Sequence, residues 1–271
     1  MHTQARRPFA GMVIGAAGFG VSAVIALLSY IGLGALRARS SARAGSGLTI
    51  PEHAVRYGDE HPGEALHFAV LGDSLAVGLG AENGSETVGA ILSRRLASEL
   101  ARPVAVHNTA AVGAVSSDLR AQIVALSQID ADPEVALIVI GSNDVLHLVR
   151  VDRSARQIFR AVVDLRRMGA RVVVATCPDL GTVRALFQPL RMLARGASRR
   201  LARAQTIVVL QAGGRPVPLG TTLGAVFSHR YRSMFSVDHV HPSPLGYARA
   251  AAVLFPSIRS AAEDDIRREK H

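Results

Sequence analysis

The sequence predicts a three-layer α/β/α domain with a mainly parallel sheet of about five strands, preceded by one transmembrane helix. From residue 66 onward, short apolar runs alternate with segments whose apolar residues recur at helical spacing. Alternating strands and helices form parallel sheets with helices on both faces. Before that region, no charged residue occurs from Pro8 to Leu36. Such a run can cross a bilayer, which requires about 20 apolar residues.

The apolar segment 9–36 is interpreted as a signal anchor that follows a short N-terminal tail, residues 1–8. A cleavable signal has an apolar core of only about 7–15 residues, and this run is longer. The small residues of Ala42-Arg43-Ala44 keep cleavage and secretion open as an alternative. The arginines that flank the span slightly favour a cytoplasmic domain by the positive-inside count. Because a single leading span usually serves export, we expect a single-pass protein of the cell membrane with its folded domain outside.

The remaining boundaries and the charge follow from composition. Residues 37–65 are rich in Arg, Ser, Gly, Pro and His and are interpreted as a linker. Residues 66–260 form the predicted folded domain, and residues 261–271 form a charged C-terminal tail. The single cysteine, Cys177, excludes an intrachain disulfide. The net charge of +10 comes almost wholly from arginine, and no basic run is interleaved with aromatic residues, so nucleic-acid binding is not expected.

The predicted domain alternates between strands and helices along its length. Five apolar runs predict the strands, at 67–72, 103–108, 134–141, 171–177 and 206–211. Helical spacing marks the segments 86–100, 116–126, 152–168, 184–204 and 244–258. The run EVALIVIG is nearly continuous in apolar residues, as in strands covered on both faces. We therefore expect a flavodoxin-like parallel sheet, in which ligands bind outside the carboxyl ends of the strands.

Polar motifs follow three of the predicted strands, and a fourth precedes the last helix. In chain order they are Gly72-Asp73-Ser74, the segment from Asn108 to Gly113, Gly141-Ser142-Asn143-Asp144, and Asp238-x-x-His241. Each motif alone is a weak signal, and Ser74 by itself is equally well explained as the N-cap of the helix that follows. Their convergence on one edge of the sheet predicts a reaction centre there.

The residue types in these motifs fit nucleophilic catalysis. A serine hydroxyl becomes a nucleophile when a base removes its proton. His241 is the candidate base for Ser74, and Asp238 can accept a hydrogen bond from the other ring nitrogen and fix the tautomer. A metal centre built on Asp144, Asp238, His239 and His241 would need an earlier D-x-H motif and further ligands, and the end of the first strand lacks that motif. We therefore expect neither a metal nor another cofactor.

Together the four motifs resemble those of the SGNH, or GDSL, hydrolase family. The matching residues are GDSL at 72–75, a glycine five residues past Asn108, GSND at 141–144 and D-x-x-H at 238–241. The resemblance identifies residues 66–260 as an SGNH hydrolase domain. It extends to an actinobacterial subset of the family whose members carry an N-terminal membrane segment.

The resemblance also implies how charge is stabilised during the reaction. An oxyanion hole would be formed by the backbone N–H groups of Ser74 and Gly113 and by the side-chain amide of Asn143. The second motif of the family often reads N-x-G-x-x-G, and here its middle glycine is Ala110. The backbone around Gly113 is therefore expected to differ slightly from the family pattern.

The leading hypothesis is a serine esterase or lipase-type hydrolase. It would cleave acyl or acetyl esters of a lipid or an acylated envelope component through a Ser-His-Asp triad and an acyl-enzyme intermediate. An acyltransferase on the same scaffold and a catalytically inert envelope binding protein remain alternatives. The sequence gives no indication of an oligomeric state.

Two segments are candidates for shaping the substrate site. The long loop 212–237 carries Phe227, Tyr231 and Phe235, which we expect to line the site because long loops in compact domains are often functional. Segment 184–200 is interpreted as a crossover helix packed on the sheet. Its leucines and arginines lie on different faces, so a lid that meets anionic lipid is the alternative.

Overall fold

A computed structural model describes residues 48, 50–51, 55–129 and 132–269, with side chains described as far as Glu263. The predicted N-terminal tail and membrane helix, residues 1–36, lie outside the described residues. Within the part of the chain that is described, no helix is both long enough and apolar enough to cross a bilayer.

A six-stranded sheet forms the middle layer of the fold. Its strands are β1 (Arg56–Tyr57), β2 (Leu66–Gly72), β3 (Val104–Asn108), β4 (Val135–Val139), β5 (Arg171–Ala175) and β6 (Arg215–Val217). They lie in the order β1-β3-β2-β4-β5-β6, and only β1 runs antiparallel to its neighbour. The five parallel strands thus have the flavodoxin-like order 2-1-3-4-5. The predicted three-layer, mainly parallel architecture is confirmed.

Helices cover both faces of the sheet. They are α1 (Ser74–Val77), α2 (Val88–Leu100), α3 (Leu119–Gln128), α4 (Ser142–Leu146), α5 (Val151–Arg167), α6 (Leu190–Gln211), α7 (Leu219–His229), α8 (Tyr231–Met234) and α9 (Pro244–Glu269). Side chains of β2 alternate between the two faces, as a strand requires. Phe68 and Val70 pack with α2 and α9, whereas Ala69 and Leu71 pack with α3 and α5.

The prediction of a fifth strand at 206–211 is wrong, because these residues form the last turns of α6. Leu201, Gln205 and Val209 are buried at a spacing of four, while Ile207 and Leu210 face solvent. A short apolar run does not distinguish a strand from a half-buried helix. The fifth parallel strand is the three-residue edge strand β6, which contains a proline that only an edge position tolerates easily.

Three other boundaries differ from the predicted ones. Part of the predicted linker 37–65 belongs to the sheet, since it contains β1, a strand too short to give a periodic signal. The predicted loop 212–237 contains β6, α7 and α8. Helix α9 continues past residue 258 into the predicted tail, because Ala261 and Ala262 are buried in the core.

Candidate active site

The three residues predicted to act together meet at the carboxyl edge of the sheet. Ser74 is the first residue of α1, directly after β2. Asp238 and His241 lie on the segment that leads into α9. Strands β2 and β4 are neighbours at this edge, although the chain passes through β3 between them. This is the topological switch point, where open α/β sheets bind their ligands.

Ser74, His241 and Asp238 form a hydrogen-bonded chain. His241 Nε2 lies 3.0 Å from Ser74 Oγ. His241 Nδ1 lies 2.5 Å from Asp238 Oδ2, and both side chains are largely buried. A carboxylate that binds one ring nitrogen fixes the other as the acceptor. The arrangement can therefore remove the proton from the Ser74 hydroxyl.

Asp238 is held in its charged form. Burial alone would raise the pKa of this carboxyl, but hydrogen bonds from the His241 ring and from the backbone N–H groups of Val240 and His241 hold it well below its ordinary value. The Ser236 hydroxyl adds a further hydrogen bond of 2.7 Å to Asp238 Oδ1. A carboxylate that stays ionised beside the imidazole stabilises the positive charge that His241 gains when it accepts a proton.

The turn that presents Ser74 depends on a glycine and on a buried glutamine. Gly72 has φ of +138°, and a Cβ there would lie 1.9 Å from the Val139 carbonyl oxygen, so no side chain fits. Gln122 Oε1 accepts from the Gly72 N–H and Gln122 Nε2 donates to the Gly72 carbonyl, each at 2.8 Å. Asn108 Nδ2 donates to the Ala76 carbonyl at 3.1 Å and so ties α1 to the second motif.

Asp73 lies fully buried beneath the reactive serine. Its Oδ1 accepts from the Leu75 N–H and caps α1, and its Oδ2 has no hydrogen-bond partner among the described residues. Burial, with a smaller contribution from the nearby carboxylate of Asp144, outweighs the hydrogen bond from the Leu75 N–H and raises the pKa of Asp73 to about 7. Asp144 is also buried and accepts from both the N–H and the hydroxyl of Ser116. These hydrogen bonds fix the motif that carries Asn143 and Asp144 against Ser116.

The predicted oxyanion-hole residues line one cavity together with Ser74. Asn143 and Gly113 both contribute to its wall. One N–H of the Asn143 amide donates to the Ala114 carbonyl at 3.1 Å, and an amide nitrogen carries a second donor. Ser74 begins a helix, and the first N–H groups of a helix have no intrahelical acceptor. The site therefore offers donors of the kinds that a developing oxyanion requires.

The cavity beside Ser74 measures about 790 Å³ and is mainly apolar. Phe227 and Phe235, both predicted to shape the site, line it and pack edge to face at 5.2 Å. Tyr231 does not line it, contrary to the prediction. Its ring instead lies under the guanidinium of Arg184, 3.9 Å from the ring centre. Helix α8 therefore presents Tyr231 to its basic neighbour and not to the cavity.

Segment 184–200 is only partly the predicted crossover helix. Residues up to 189 are irregular, and α6 begins at Leu190. Leu186 is buried and lines the cavity, whereas Leu193 is exposed. The leucines predicted to share one face are thus divided between the cavity wall and the surface.

Gln122 and Asp144 are structural parts of the site to which sequence reasoning assigned no structural role, whereas Asp73 was expected to support the turn that presents Ser74. A glutamine inside a helical pattern is usually a solvent-facing residue, and no sequence signal distinguishes Gln122 from one. Asp73 and Asp144 stand inside the recognised motifs, so their place was visible although their burial was not.

Comparison with known proteins agrees with this geometry. Residues 70–249 match the GDSL-like Lipase/Acylhydrolase family. The chain is 41% identical over 201 residues to the GDSL-like esterase Rv1075c of Mycobacterium tuberculosis. That alignment covers 74% of this chain and 64% of the relative, so the chain spans slightly less than two thirds of the length of the relative.

Solved structures with low sequence identity share the fold. The crystal structure of TesA has a TM-score of 0.59 at 23% identity, over 72% of this chain and 99% of that one. The lipase/acylhydrolase from Enterococcus faecalis has a TM-score of 0.56 at 16% identity, over 73% of this chain and 96% of that one. The matched motifs, the curated relative and the sheet topology agree, and the chain belongs to the GDSL-like lipase/acylhydrolase family.

Proposed function

We propose that this protein is a carboxylic ester hydrolase whose nucleophile is Ser74. The observation that carries the proposal is the 3.0 Å contact between Ser74 Oγ and His241 Nε2, with Asp238 behind the histidine and an apolar cavity in front of the serine. Membership of the family and likeness to a named esterase support it. The intact hydrogen-bonded chain argues against an inert binding protein.

The first half of the reaction forms an acyl-enzyme. His241 Nε2 takes the proton from the Ser74 hydroxyl while Oγ attacks the ester carbonyl carbon. The carbonyl oxygen gains negative charge and is bound by the N–H groups of Ser74 and Gly113 and by the Asn143 amide. As the intermediate collapses, the C–O bond to the alcohol breaks and His241 gives its proton to the departing oxygen. The alcohol leaves, and the acyl group remains on Ser74.

The second half repeats these steps with water. His241 removes a proton from a water molecule that attacks the acyl carbon. The bond to Ser74 Oγ then breaks, the serine recovers its proton, and a carboxylic acid leaves. Asp238 stays ionised in both halves, as its lowered pKa implies. An acyltransferase would differ only in that a sugar or another alcohol takes the place of water.

The cavity supports an acyl chain longer than acetyl as the group that the enzyme binds. An acetyl group would leave most of the 790 Å³ without apolar contact. Burying apolar surface is favourable by roughly 25 cal/mol per Å², so longer chains gain binding energy along Leu186, Leu223 and Phe227. Hence we expect activity to rise with acyl length from acetyl upward.

We further propose that segment 9–36 anchors the protein in the cell membrane and that the hydrolase domain lies outside. This proposal rests on the uncharged run between Pro8 and Leu36. A reporter enzyme fused after residue 271 tests it, since a periplasmic reporter is active only when the fusion point is exported. Release of a shorter chain into the medium would instead favour cleavage near Ala42-Arg43-Ala44.

Turnover of p-nitrophenyl esters of graded acyl length tests the proposed activity. Ser74→Ala should lower kcat by about 10³-fold or more, as loss of a serine nucleophile does elsewhere. Ser127→Ala removes an exposed hydroxyl on α3 and is the matched control, with an expected rate equal to that of the parent. Equal rates for the two variants would overturn the proposal. Adding sugar acceptors to the same assay detects acyl transfer as a new product.

A further inference from the structure

Three exposed apolar side chains lie on one turn of the chain, which borders the cavity at Phe187. Phe187 is 66% exposed, Met192 63% and Leu193 52%. Phe187 also lines the cavity. Hydrogen bonds from the Arg191 N–H to the Phe187 carbonyl, and from the N–H groups of Met192 and Leu193 to Pro189, wind these residues into one turn. Single exposed apolar residues are common, but a group of three beside a cavity marks an interaction site. We call these three residues the mouth surface.

The part of the chain that carries the mouth surface is strongly basic. Residues 180–237 contain nine arginines and no aspartate or glutamate, so they supply nine of the ten net positive charges of the protein. Asp179, just before this segment, contacts Arg195 at 3.4 Å and Arg199 at 3.1 Å. Arg184 stacks on Tyr231 of α8, so the chain around Arg230 and Arg232 lies next to Arg184.

We propose that the mouth surface docks on an anionic lipid surface. Phe187, Met192 and Leu193 would enter the boundary between head groups and acyl chains, and the surrounding arginines would contact the anionic head groups. Apolar side chains bordered by basic ones are the pattern of proteins that lie on membranes. The inference concerns binding and not turnover, so it can fail while the proposed hydrolysis stands.

Lipid fits this surface better than an acidic protein or a second copy does. The nine arginines are spread along a segment of 58 residues, and none of them lines the cavity. A second copy would place two such basic segments against each other. Phe187 joins the mouth surface to the cavity wall, so an acyl chain that leaves a membrane would enter the cavity without crossing water.

A tryptophan reporter tests the docking, because the natural chain contains no tryptophan. Vesicle binding alone would not test it, since segment 9–36 could hold the chain on lipid. Met192→Trp places the reporter on the mouth surface, and Leu193→Trp is a second reporter should the first fail to fold. Ile207→Trp is the matched control, 57% exposed on the same helix and about 22 Å further along it at 1.5 Å per residue.

The measurement uses the full chain in vesicles of phosphatidylcholine, with and without phosphatidylglycerol. We expect a blue shift and quenching by brominated acyl chains for the tryptophan at 192 in the anionic vesicles, weakened by salt, and neither for the tryptophan at 207. No change at 192, or an equal change at both positions, overturns the proposal. A change at 192 in neutral vesicles as large as that in anionic vesicles overturns the role of charge. A shift that depends on protein concentration without lipid indicates a second copy instead.

Charge reversal gives an independent check. Arg191→Glu, in the turn of the mouth surface, should reduce the blue shift at 192, whereas Arg203→Glu, on the exposed face of the same helix, should reduce it much less. Equal reductions would show that only the total charge matters and would contradict docking through the mouth surface.

Discussion

The two halves of the active site differ in how they are built. The proposed reactive half consists of short turns at the ends of β2 and β4, strands that are buried on both faces, and of the segment before α9 that carries Asp238 and His241. The binding half, residues 178–237, contains an irregular stretch, the edge strand β6 and helices α6 to α8, and it carries exposed apolar side chains and most of the net charge. If the proposed activity holds, buried strands position the reacting atoms, while a less regular segment at the edge of the sheet forms most of the wall of the acyl site.

The largest expected effect lies in the reactive half. Asp238→Asn keeps the shape of the side chain but removes the charge beside His241 and changes which ring nitrogen carries the proton. We expect kcat to fall by about 10²- to 10⁴-fold with little change in KM, as loss of a triad carboxylate does in other serine hydrolases. Steady-state kinetics with one ester measures this. A larger change in KM than in kcat would show that Asp238 serves binding instead.

The pH dependence of the free energy of unfolding tests whether Asp73, in the reactive half, is as deeply buried as the structure shows. Its pKa of about 7 in the folded protein lies above its ordinary value of 3.8. Between these pH values the folded protein therefore binds more protons than the unfolded chain. The contribution of Asp73 to stability is complete below about pH 4 and is lost as the pH rises through about 7.

Asp73→Asn should remove this loss, because an amide does not ionise. Between pH 5 and pH 8, the free energy of unfolding of the parent should fall by about 2–3 kcal/mol more than that of the variant, at roughly 1.4 kcal/mol per pH unit. Urea denaturation at the two pH values measures the difference. Asp164→Asn, at an exposed carboxylate paired with Arg167, is the control and should follow the parent. Parallel curves for the parent and Asp73→Asn would contradict the burial argument.

Gly224 tests the binding half, with a smaller expected effect. It lines the cavity, and a Cβ there would make only ordinary contact with Asp179 at 3.7 Å, so a larger side chain would project into the open space. Gly224→Leu should lower kcat/KM for octanoyl esters by about tenfold or more, and for acetyl esters much less. The new side chain would fill space that a long acyl chain needs, and each methylene that no longer fits costs about 1–3 kcal/mol of binding.

The control for this variant is Gly196→Leu. Gly196 is also helical, but a Cβ there would meet open space. Gly196→Leu should leave the preference between acetyl and octanoyl esters unchanged. Equal losses for acetyl and octanoyl esters in Gly224→Leu would show that the cavity is not the acyl site.

The same contrast explains what the sequence could predict. Ser74 and Asn143 were predicted because they follow strands whose burial on both faces leaves a clear apolar pattern. Asp238 and His241 were predicted from residue type and spacing, and the oxyanion role expected of Gly113 and Asn143 came from the family resemblance. The binding half has no comparable pattern. The apolar run at 206–211 fits a strand and a half-buried helix equally well, and β6 has only three residues. The position of Tyr231 depends on its contact with Arg184, which is a tertiary contact.

The polar residues that brace the site show a second limit of sequence reasoning. Gln122 holds both backbone groups of Gly72, and Gln205 holds the Cys177 N–H and the Ile140 carbonyl in a similar way. A buried side-chain amide satisfies a donor and an acceptor that would otherwise be unpaired. In the sequence these residues resemble any helical glutamine, because their partners are distant along the chain. Gly72 lies 50 positions from Gln122, and the partners of Gln205, Cys177 and Ile140, lie 28 and 65 positions away.

The central claim is that the acyl group passes through Ser74, and trapping the acyl-enzyme tests it most directly. The protein is mixed with an activated ester, quenched in acid within the first turnover, and its intact mass and peptides are measured. The account predicts one acyl adduct, on the peptide that contains Ser74, and none in Ser74→Ala. An adduct on Cys177, the buried and only cysteine, or an adduct that persists in Ser74→Ala would contradict it.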